Sequence, residues 1–200
     1  GRIDVLDQLF PADAVRLSKS KEIKVANYPL PTVHMLVPCS EHPFLAERTF
    51  RRALLYGINR KDILTGELLE GLESEGCRVL SGPFPAGLEL NDPLGYAYDQ
   101  SIEPRPYEPP LAQLLIAMNE NQMKSEAERK KETMPSMTPI RLAYPPDNLS
   151  RVACEGIRTQ WELLGLKVEL VELEAGQTFP DREKNIADIV YVSAAVWEPV

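Results

Sequence analysis

The sequence predicts an α/β fold, in which helices pack against a sheet that contains parallel strands. The clearest evidence lies in three consecutive segments: residues 140–144 alternate between apolar and other positions, residues 149–164 carry apolar side chains at helical spacing, and residues 166–173 alternate again. A strand, a helix and a strand within about 35 residues are typical of a parallel βαβ crossover, which is almost always right-handed. An apolar run over residues 187–193 predicts a further buried strand.

The first third of the chain predicts short helices and strands. Residues 4–20 have apolar side chains at roughly helical spacing, and two β-like runs follow at residues 22–26 and 32–37. Prolines separate these runs, which is typical of strands at the edge of a sheet. An apolar stripe predicts a longer helix over residues 45–58, and residues 61–69 predict a short one.

Residues 71–110 lose this periodicity and predict an extended proline-rich arm. Seven of the 18 prolines of the chain lie between Pro83 and Pro110, among several turn signals. Pro109 and Pro110 suit the first turn of a following helix, because the missing N–H of proline costs nothing there. The expected buried stripe of that helix consists of Leu111, Leu114, Leu115 and Met118.

Turn residues mark the ends of the helix predicted over residues 149–164. Either Asp147 or Asn148 can act as its N-cap, because a short polar side chain can accept a hydrogen bond from the first turn. Gly165 stands where many helices end in a left-handed glycine. Residues 179–184 predict one more short helix.

Composition excludes several classes of protein. The 200 residues include 30 acidic and 22 basic side chains, for a net charge of -8, which argues against binding to nucleic acid. The longest apolar stretches, residues 114–118 and 189–197, are too short to cross a bilayer. The three cysteines are too few and too widely spaced for a disulfide framework or a CxxC metal pair.

No motif indicates catalysis, a metal or a cofactor. His34, Cys39 and His42 lie close together in sequence and could form part of a zinc site. No fourth ligand is nearby, however, and the strand pattern places His34 and Cys39 on opposite faces. The chain also lacks a GxSxG nucleophile motif and glycine-rich phosphate-binding loops. Arg48, Arg51 and Arg52 are expected to form a solvated helix face.

Several segments resemble, in order along the chain, the motifs of one known family. The most specific is a helical block that runs from Pro43-Phe44-Leu45 through Arg51-Arg52-Ala53-Leu54 to Ile58-Asn59-Arg60. The other matching segments are Gly1 to Val5, Tyr98-Asp99 with Pro106 to Leu115, Ile157 to Leu170, and Asp188 to Val190 with Glu198-Pro199. On these motifs the chain resembles family 5 of the extracellular solute-binding proteins, the oligopeptide, dipeptide and nickel receptors of ABC importers.

The resemblance implies a particular architecture. Members of this family have a type II periplasmic-binding-protein-like fold, in which two lobes joined by a hinge enclose the ligand. Residues 1–200 are then expected to form one α/β lobe of the C-terminal type, a mixed sheet with flanking helices, with residues 1–22 near the hinge and residues 71–110 as the arm. The chain starts without Met and stops just after an apolar run, so we expect a fragment whose parent also contains the N-terminal lobe.

The resemblance also implies a function without catalysis. Such a protein captures a peptide-like or other small polar solute by hinge closure and passes it to ABC permease subunits, at the periplasmic or extracellular face of the membrane. The alternative is a ligand-sensing module of a regulator built on the same fold, since fold does not fix function. A signal peptide with a lipidation cysteine in the parent, as in a lipoprotein, favours the receptor, whereas a helix-turn-helix favours the regulator.

The resemblance points to ligand-facing residues near the last strand, because open α/β sheets bind ligands at the carboxyl ends of their strands. The expected residues are Arg182, Tyr191, Ser193 and Trp197. Arg182 and Tyr191 could instead have surface or packing roles, and Trp197 could either stack on a ligand or cover the core. In oligopeptide receptors this segment often supplies an aspartate for the α-amino group of the ligand, but residues 193–197 contain no acid. Asn59 and Arg60 are expected to have a structural role, as polar residues at the end of the helix that form hydrogen bonds with backbone carbonyls.

Overall fold

The computed structural model describes residues 4–6, 9–26, 28, 30–40, 42–72, 74, 76–87, 92–181 and 185–196. Its centre is a four-stranded mixed sheet made of β1 (Thr32–Pro38), β2 (Ile140–Tyr144), β3 (Val168–Glu172) and β4 (Ile189–Ala195). The strand order is β1-β4-β2-β3; β2 runs parallel to both β3 and β4, and β1 runs antiparallel to β4. The predicted α/β class is therefore confirmed.

Helices flank this sheet in the described part of the chain. They are α1 (Pro11–Leu17), α2 (Pro43–Ala46), α3 (Arg48–Tyr56), α4 (Arg60–Asp62), α5 (Pro109–Lys130) and α6 (Asn148–Glu162). A π-helix over Ile63–Leu68 continues α4, and a 3₁₀ turn covers Pro93–Gly95. Among the described residues, no helix combines the length and the apolar character needed to cross a membrane.

The β2-α6-β3 unit forms as predicted, and local chemistry sets the ends of its helix. Asp147 is the N-cap, since its Oδ1 accepts a hydrogen bond from the backbone N–H of Ser150 at 2.9 Å. Gly165 adopts a φ of +87° just beyond α6, a left-handed conformation that favours glycine. The two strands then pair in parallel, from Ile140 beside Val168 onward.

The larger hydrophobic core lies between one face of the sheet, here called the helix face, and helices α3, α5 and α6. The sheet contributes Ile140, Leu142, Tyr144, Ile189 and Tyr191 to it. Trp161 of α6 is fully buried at its centre, and its indole Nε1 donates to the Leu54 carbonyl oxygen at 3.1 Å. A smaller core on the second face contains Ala143, Leu173, Ala187, Val190 and Val192.

One predicted helix is two helices in the structure. Residues 45–58 are interrupted at Glu47, whose backbone is extended with φ -78° and ψ 123°. The break leaves carbonyls at the end of α2 without partners in their own helix. The guanidinium of Arg51 satisfies two of them, since its Nη1 donates to the Leu45 and Ala46 oxygens at 2.7 and 2.6 Å. Residues 61–69 likewise form the end of α4 and the π-helix rather than a single α-helix.

Two predictions about exposure and pairing were wrong. Residues 22–26 form no strand, because none of the described strands pairs with them, and Ile23 is exposed. In α5 the buried residues are Ala112, Leu115, Ile116, Asn119 and Ala127, whereas Leu114 and Met118 are more than half exposed. The apolar residues surround the first turns of α5, so their spacing did not identify the buried face.

Residues 179–181 are not helical, and the rest of the helix predicted over 179–184 lies outside the described residues.

Hydrogen bonds from arginine side chains tie the proline-rich arm to the body of the fold. The guanidinium of Arg60 donates to the Leu80 carbonyl oxygen at 2.9 Å and to the Arg105 carbonyl oxygen at 2.7 Å. Asn59 caps α4, because its Oδ1 accepts from the Asp62 N–H at 3.1 Å. The guanidinium of Arg105 in turn donates to the Tyr56 hydroxyl at 3.0 Å. The prediction that Arg60 binds backbone carbonyls is confirmed.

Replacing Arg60 by lysine is expected to loosen the arm. A lysine ammonium keeps the charge but cannot span both carbonyl groups as the planar guanidinium does. We expect faster amide hydrogen exchange over residues 76–108 and a free energy of unfolding lower by about 1 kcal/mol. Arg129→Lys, at an exposed position of α5, is the control and should change neither quantity. Equal exchange rates in the two variants would contradict the tether.

An ion pair between the partly exposed Arg141 and the buried Asp188 joins the amino ends of β2 and β4. Asp188, which directly precedes β4, is 2% exposed. Its Oδ1 accepts from Arg141 Nη2 and from Ser40 Oγ, both at 2.7 Å, and its Oδ2 accepts from the backbone N and Nε of Arg141 at 2.9 and 3.0 Å. Burial would raise the pKa of Asp188, but the hydrogen bonds from Arg141 and Ser40 outweigh it and hold the pKa below its usual value. The pair fixes β4 in the middle of the sheet.

Candidate functional site

The candidate site lies at the edge of the sheet where β2, β3 and β4 end and β1 begins, here called the carboxyl edge. β4 continues past β2 at this edge, because Leu142 and Ala143 pair with Ile189 and Val190, near the start of β4. The part of β4 beyond Val190 is therefore bordered by β1 on one side and by the turn after β2 on the other. Loops at this edge are where ligands of open α/β sheets bind.

The structure describes two of the four residues that the sequence predicts to face a ligand. Tyr191 is buried on the helix face, with 5% of its surface exposed. Ser193 lies two residues further along β4, on the same face, and is exposed. Residues 193–197, the segment expected to contact the ligand after the last strand, are still strand as far as Ala195, because Thr32 of β1 pairs with Ala195. Arg182 and Trp197 lie outside the described residues.

A histidine on the neighbouring strand completes this group. His34 of β1 stands directly opposite Ser193 in the antiparallel pair, so their side chains share a face. Its Nδ1 lies 3.0 Å from the Tyr191 hydroxyl, and the two rings are 5.7 Å apart between centroids. Partial burial lowers the pKa of His34, although the Asp147 carboxylate opposes this. His34 nevertheless keeps an exposed surface.

The turn after β2 brings a carboxylate to the same edge. Asp147 is held by Ser150, whose N–H and hydroxyl donate to its two carboxylate oxygens at 2.9 and 2.7 Å. Burial raises the pKa of Tyr191, and Cys154 and the charge of Asp147 raise it further, so that phenol stays protonated. Because its carboxylate already occupies the start of α6, an anionic ligand group is not favoured there.

Sequence reasoning missed His34 and Asp147 as members of this site. From the sequence, His34 is a candidate only for a zinc site, and Asp147 only for a helix cap. The tyrosine and the histidine are 157 residues apart, and only the β1–β4 register brings them together. The available signal was the alternation of β1, which places His34 on the same face as Leu36, but it did not identify the partner strand.

The described residues contain no group of three or more His, Cys, Asp or Glu side chains that could hold a metal ion. His34 contacts Tyr191 on the helix face, whereas Cys39 packs with the second-face core, which confirms that they lie on opposite faces. The three cysteines do not form disulfides with one another. Burial raises the pKa of the Cys154 thiol, which makes it a poor nucleophile.

Two cavities lie away from the carboxyl edge. One of about 360 Å³ opens between the end of β1 and the segment that precedes β4. The other, of about 450 Å³, lies between α6 and the end of the π-helix and is lined by Asp62, Glu67 and Glu155 among others. Burial raises the pKa of Glu67, and the two neighbouring carboxylates raise it further. Neither cavity includes His34, Tyr191 or Ser193.

Comparison with models of known protein families finds a match to one family. Residues 1–199 match the family model described as bacterial extracellular solute-binding proteins, family 5 Middle. No curated protein matches the chain.

Solved structures share this fold at low sequence identity. NikZ from Campylobacter jejuni, in complex with Ni(L-His), matches 94% of the chain with a TM-score of 0.68 and 14% identity, over 34% of its own length. The oligopeptide-binding protein AppA from Bacillus subtilis, in complex with a nonapeptide, matches 94% with a TM-score of 0.67 and 14% identity, over 36% of its length. DppA from Helicobacter pylori, in complex with the peptide STSA, matches 94% with a TM-score of 0.68 and 15% identity, over 31% of its length. The chain thus spans about a third of each of these structures.

Proposed function

Because this chain belongs to the bacterial extracellular solute-binding proteins of family 5, we propose that it is a ligand-binding lobe of a receptor that serves an ABC importer. The receptor captures a peptide-like or other small polar solute between two lobes that close about a hinge, and delivers it to the permease subunits. In this proposal the chain is the C-terminal-type lobe, residues 1–22 lie near the hinge, and the protein works at the periplasmic or extracellular face of the membrane.

The observation that supports this proposal is the polar group at the carboxyl edge of the sheet. His34 and Ser193 are exposed beside each other on a face whose next residues along β4, Tyr191 and Ile189, belong to the buried core. Sites for small solutes typically combine an apolar wall with a few fixed hydrogen-bonding groups. Trp197, which follows β4 closely in the sequence, is a further candidate for contact with the solute. Arg182 stays a candidate from the family resemblance alone, since its described neighbours Asp181 and Asn185 line the cavity before β4.

Binding rather than catalysis fits the chemistry of this group. The Tyr191 hydroxyl is buried and its pKa is raised, so it is not an activated nucleophile. Within the described residues, the Ser193 hydroxyl makes no hydrogen bond to a base that would activate it, although His34 lies opposite it on the next strand. Family relatives bind Ni(L-His) or peptides, and these two classes are the first solutes to test.

The full-length product of the gene that encodes this chain is expected to be stabilised against heat by its solute. Thermal unfolding should be followed with the STSA tetrapeptide, a nonapeptide mixture and Ni(II) with L-histidine, and with L-alanine as the control. At a ligand concentration of 100 Kd the expected gain in the free energy of unfolding is about 2.7 kcal/mol.

The same titrations on residues 1–200 alone are the matched comparison. Because one lobe offers only one side of the binding cleft, the expected shift of its unfolding midpoint is small or absent. Tight, saturable binding to residues 1–200 alone would contradict capture between two lobes. The absence of a shift in the full-length protein with every probe would contradict the proposed solute classes.

A further inference from the structure

The contact between Tyr191 and His34 determines where the proton of the imidazole lies. The Tyr191 hydroxyl is buried, and its hydrogen must find an acceptor, because an unpaired buried donor is costly. Within the part of the chain that the structure describes, His34 Nδ1 is the one atom that lies within hydrogen-bond distance of that hydroxyl. The hydroxyl therefore donates to Nδ1.

This assignment leaves the ring proton on Nε2. A neutral imidazole carries one N–H and one lone pair, and here the lone pair of Nδ1 is occupied by the tyrosine. Nε2 has no hydrogen-bond partner among the described residues, and the ring keeps an exposed surface. His34 thus presents an N–H donor at the carboxyl edge, beside the exposed Ser193 on the neighbouring strand.

Protonation would disturb this arrangement. In the imidazolium both nitrogens are donors, so Nδ1–H would face a tyrosine hydroxyl whose own hydrogen then has no acceptor. The groups that act on the pair are the Asp147 carboxylate, from the turn before α6, and the Cys154 thiol, from within α6. Asp147 favours the imidazolium but is already held by two hydrogen bonds from Ser150.

We propose that His34 Nε2–H donates a hydrogen bond to an amide carbonyl oxygen of the bound solute, and that Tyr191 positions the ring for this. The inference rests on the proposed function, because it assigns a role in the same site. It favours a peptide-like solute over a metal complex that is coordinated by this histidine, since Nε2 has no lone pair in this tautomer. Tyr191 is a positioning residue that does not itself contact the solute.

The first test is a direct measurement of the tautomer. The chain has two histidines, so ¹⁵N-histidine labelling and long-range ¹H–¹⁵N spectra give two sets of signals, and His34→Gln assigns one of them. We expect His34 to be the Nε2–H tautomer at pH 7.5, and Tyr191→Phe to convert it to a mixture of tautomers. A dominant Nδ1–H tautomer in the wild-type chain overturns the proposal.

The second test measures binding of the STSA tetrapeptide to the full-length protein by calorimetry. His34→Leu is expected to weaken binding about tenfold, the effect of losing one well-placed hydrogen bond. His34→Gln, which keeps an N–H donor, should recover part of this loss, and His42→Gln, at the chain's other histidine, should leave binding unchanged. Binding unaffected by His34→Leu overturns the proposal while leaving the proposed function in place.

Two further outcomes separate the possible failures. If Ni(II) with L-histidine, added in stoichiometric amounts, broadens the Nε2 signal of His34 selectively, the atom is a metal ligand and the donor role is overturned. If no probe binds to the wild-type protein, the proposed function fails and the role of His34 toward these solutes fails with it. The tautomer measured in the free chain distinguishes this case from an error in the hydrogen-bond assignment.

Discussion

Replacing Asp188 by asparagine is expected to lower the free energy of unfolding by about 3 kcal/mol at pH 7. The carboxylate accepts four hydrogen bonds, three from Arg141 and one from Ser40, while only 2% of its surface is exposed. Asparagine has nearly the same shape, but it removes the charge and turns an amide N–H₂ toward these donors. Urea-induced unfolding followed by circular dichroism measures the change.

The matched control is Asp13→Asn, which removes another Asp–Arg pair of similar length among the described residues. Asp13 contacts Arg16 at 2.8 Å, compared with 2.7 Å for Asp188 and Arg141. The side chains of Asp13 and Arg16 are both more than half exposed. Exposed ion pairs of this kind contribute little, so the unfolding midpoint should not move measurably. Equal effects of the two substitutions would contradict the role given to burial.

The contribution of Asp188 also has a defined dependence on pH. Because its pKa is lower in the folded state than the ordinary value of 3.8, the carboxylate stabilises the fold above about pH 4, and this stabilisation is lost as the pH falls through the folded-state value. The difference in stability between the wild type and Asp188→Asn should therefore shrink between pH 5 and pH 2. A difference that grows over that range would exclude the assigned direction.

Replacing Trp161 by alanine is expected to cost about 4 kcal/mol, the typical effect of removing a fully buried aromatic side chain. The indole also donates to the Leu54 carbonyl oxygen, one of the last carbonyls of α3, whose usual partner is missing because the Ile58 N–H donates to Leu55 instead. Trp161→Phe keeps most of the ring but loses this bond, so about 2 kcal/mol is expected.

Leu163→Ala is the control for Trp161. Leu163 lies two residues further along the chain and is 71% exposed, so its truncation should change stability by less than about 0.5 kcal/mol. Far-ultraviolet circular dichroism is the appropriate measurement, since the substitutions at Trp161 remove a fluorophore. A loss below about 1 kcal/mol in Trp161→Ala would show that the core between the sheet and the helices does not depend on this side chain.

The parts of the fold that were predictable are those that neighbouring residues determine. The cap by Asp147, the glycine conformation at Gly165 and the parallel pairing of β2 with β3 all follow from interactions within about 35 residues. The break at Glu47 was not predictable, because it depends on the Arg51 side chain folding back over two carbonyls. The buried face of α5 was missed because the first turns of this helix carry apolar residues on all sides, so their spacing does not indicate which side is covered.

The candidate site was predictable only in part, for the same physical reason. The position of Tyr191 and Ser193 near the end of the last strand follows from the strand pattern. Their neighbour His34 comes from the other end of the chain, and its contact exists only because β1 adds antiparallel to β4. Long-range pairing of this kind leaves no periodic pattern in the sequence. The sequence therefore showed that His34 is present but did not predict that Tyr191 and Ser193 are its neighbours.

The two ends of β4 differ in what they contribute: one end stabilises the sheet, and the other presents exposed polar side chains. The ion pair of the buried Asp188 with Arg141 anchors one end. The exposed His34 and Ser193 lie toward the other, about 17 Å along the strand from Asp188. Substitutions at the exposed end therefore leave the anchor intact, and a substitution of the exposed Ser193 disturbs little of the packing that keeps the sheet folded. In the proposed receptor, the preference for one solute over another can therefore change during evolution through Ser193 with little accompanying loss of stability, whereas a change at His34 must also supply another acceptor for the buried Tyr191 hydroxyl.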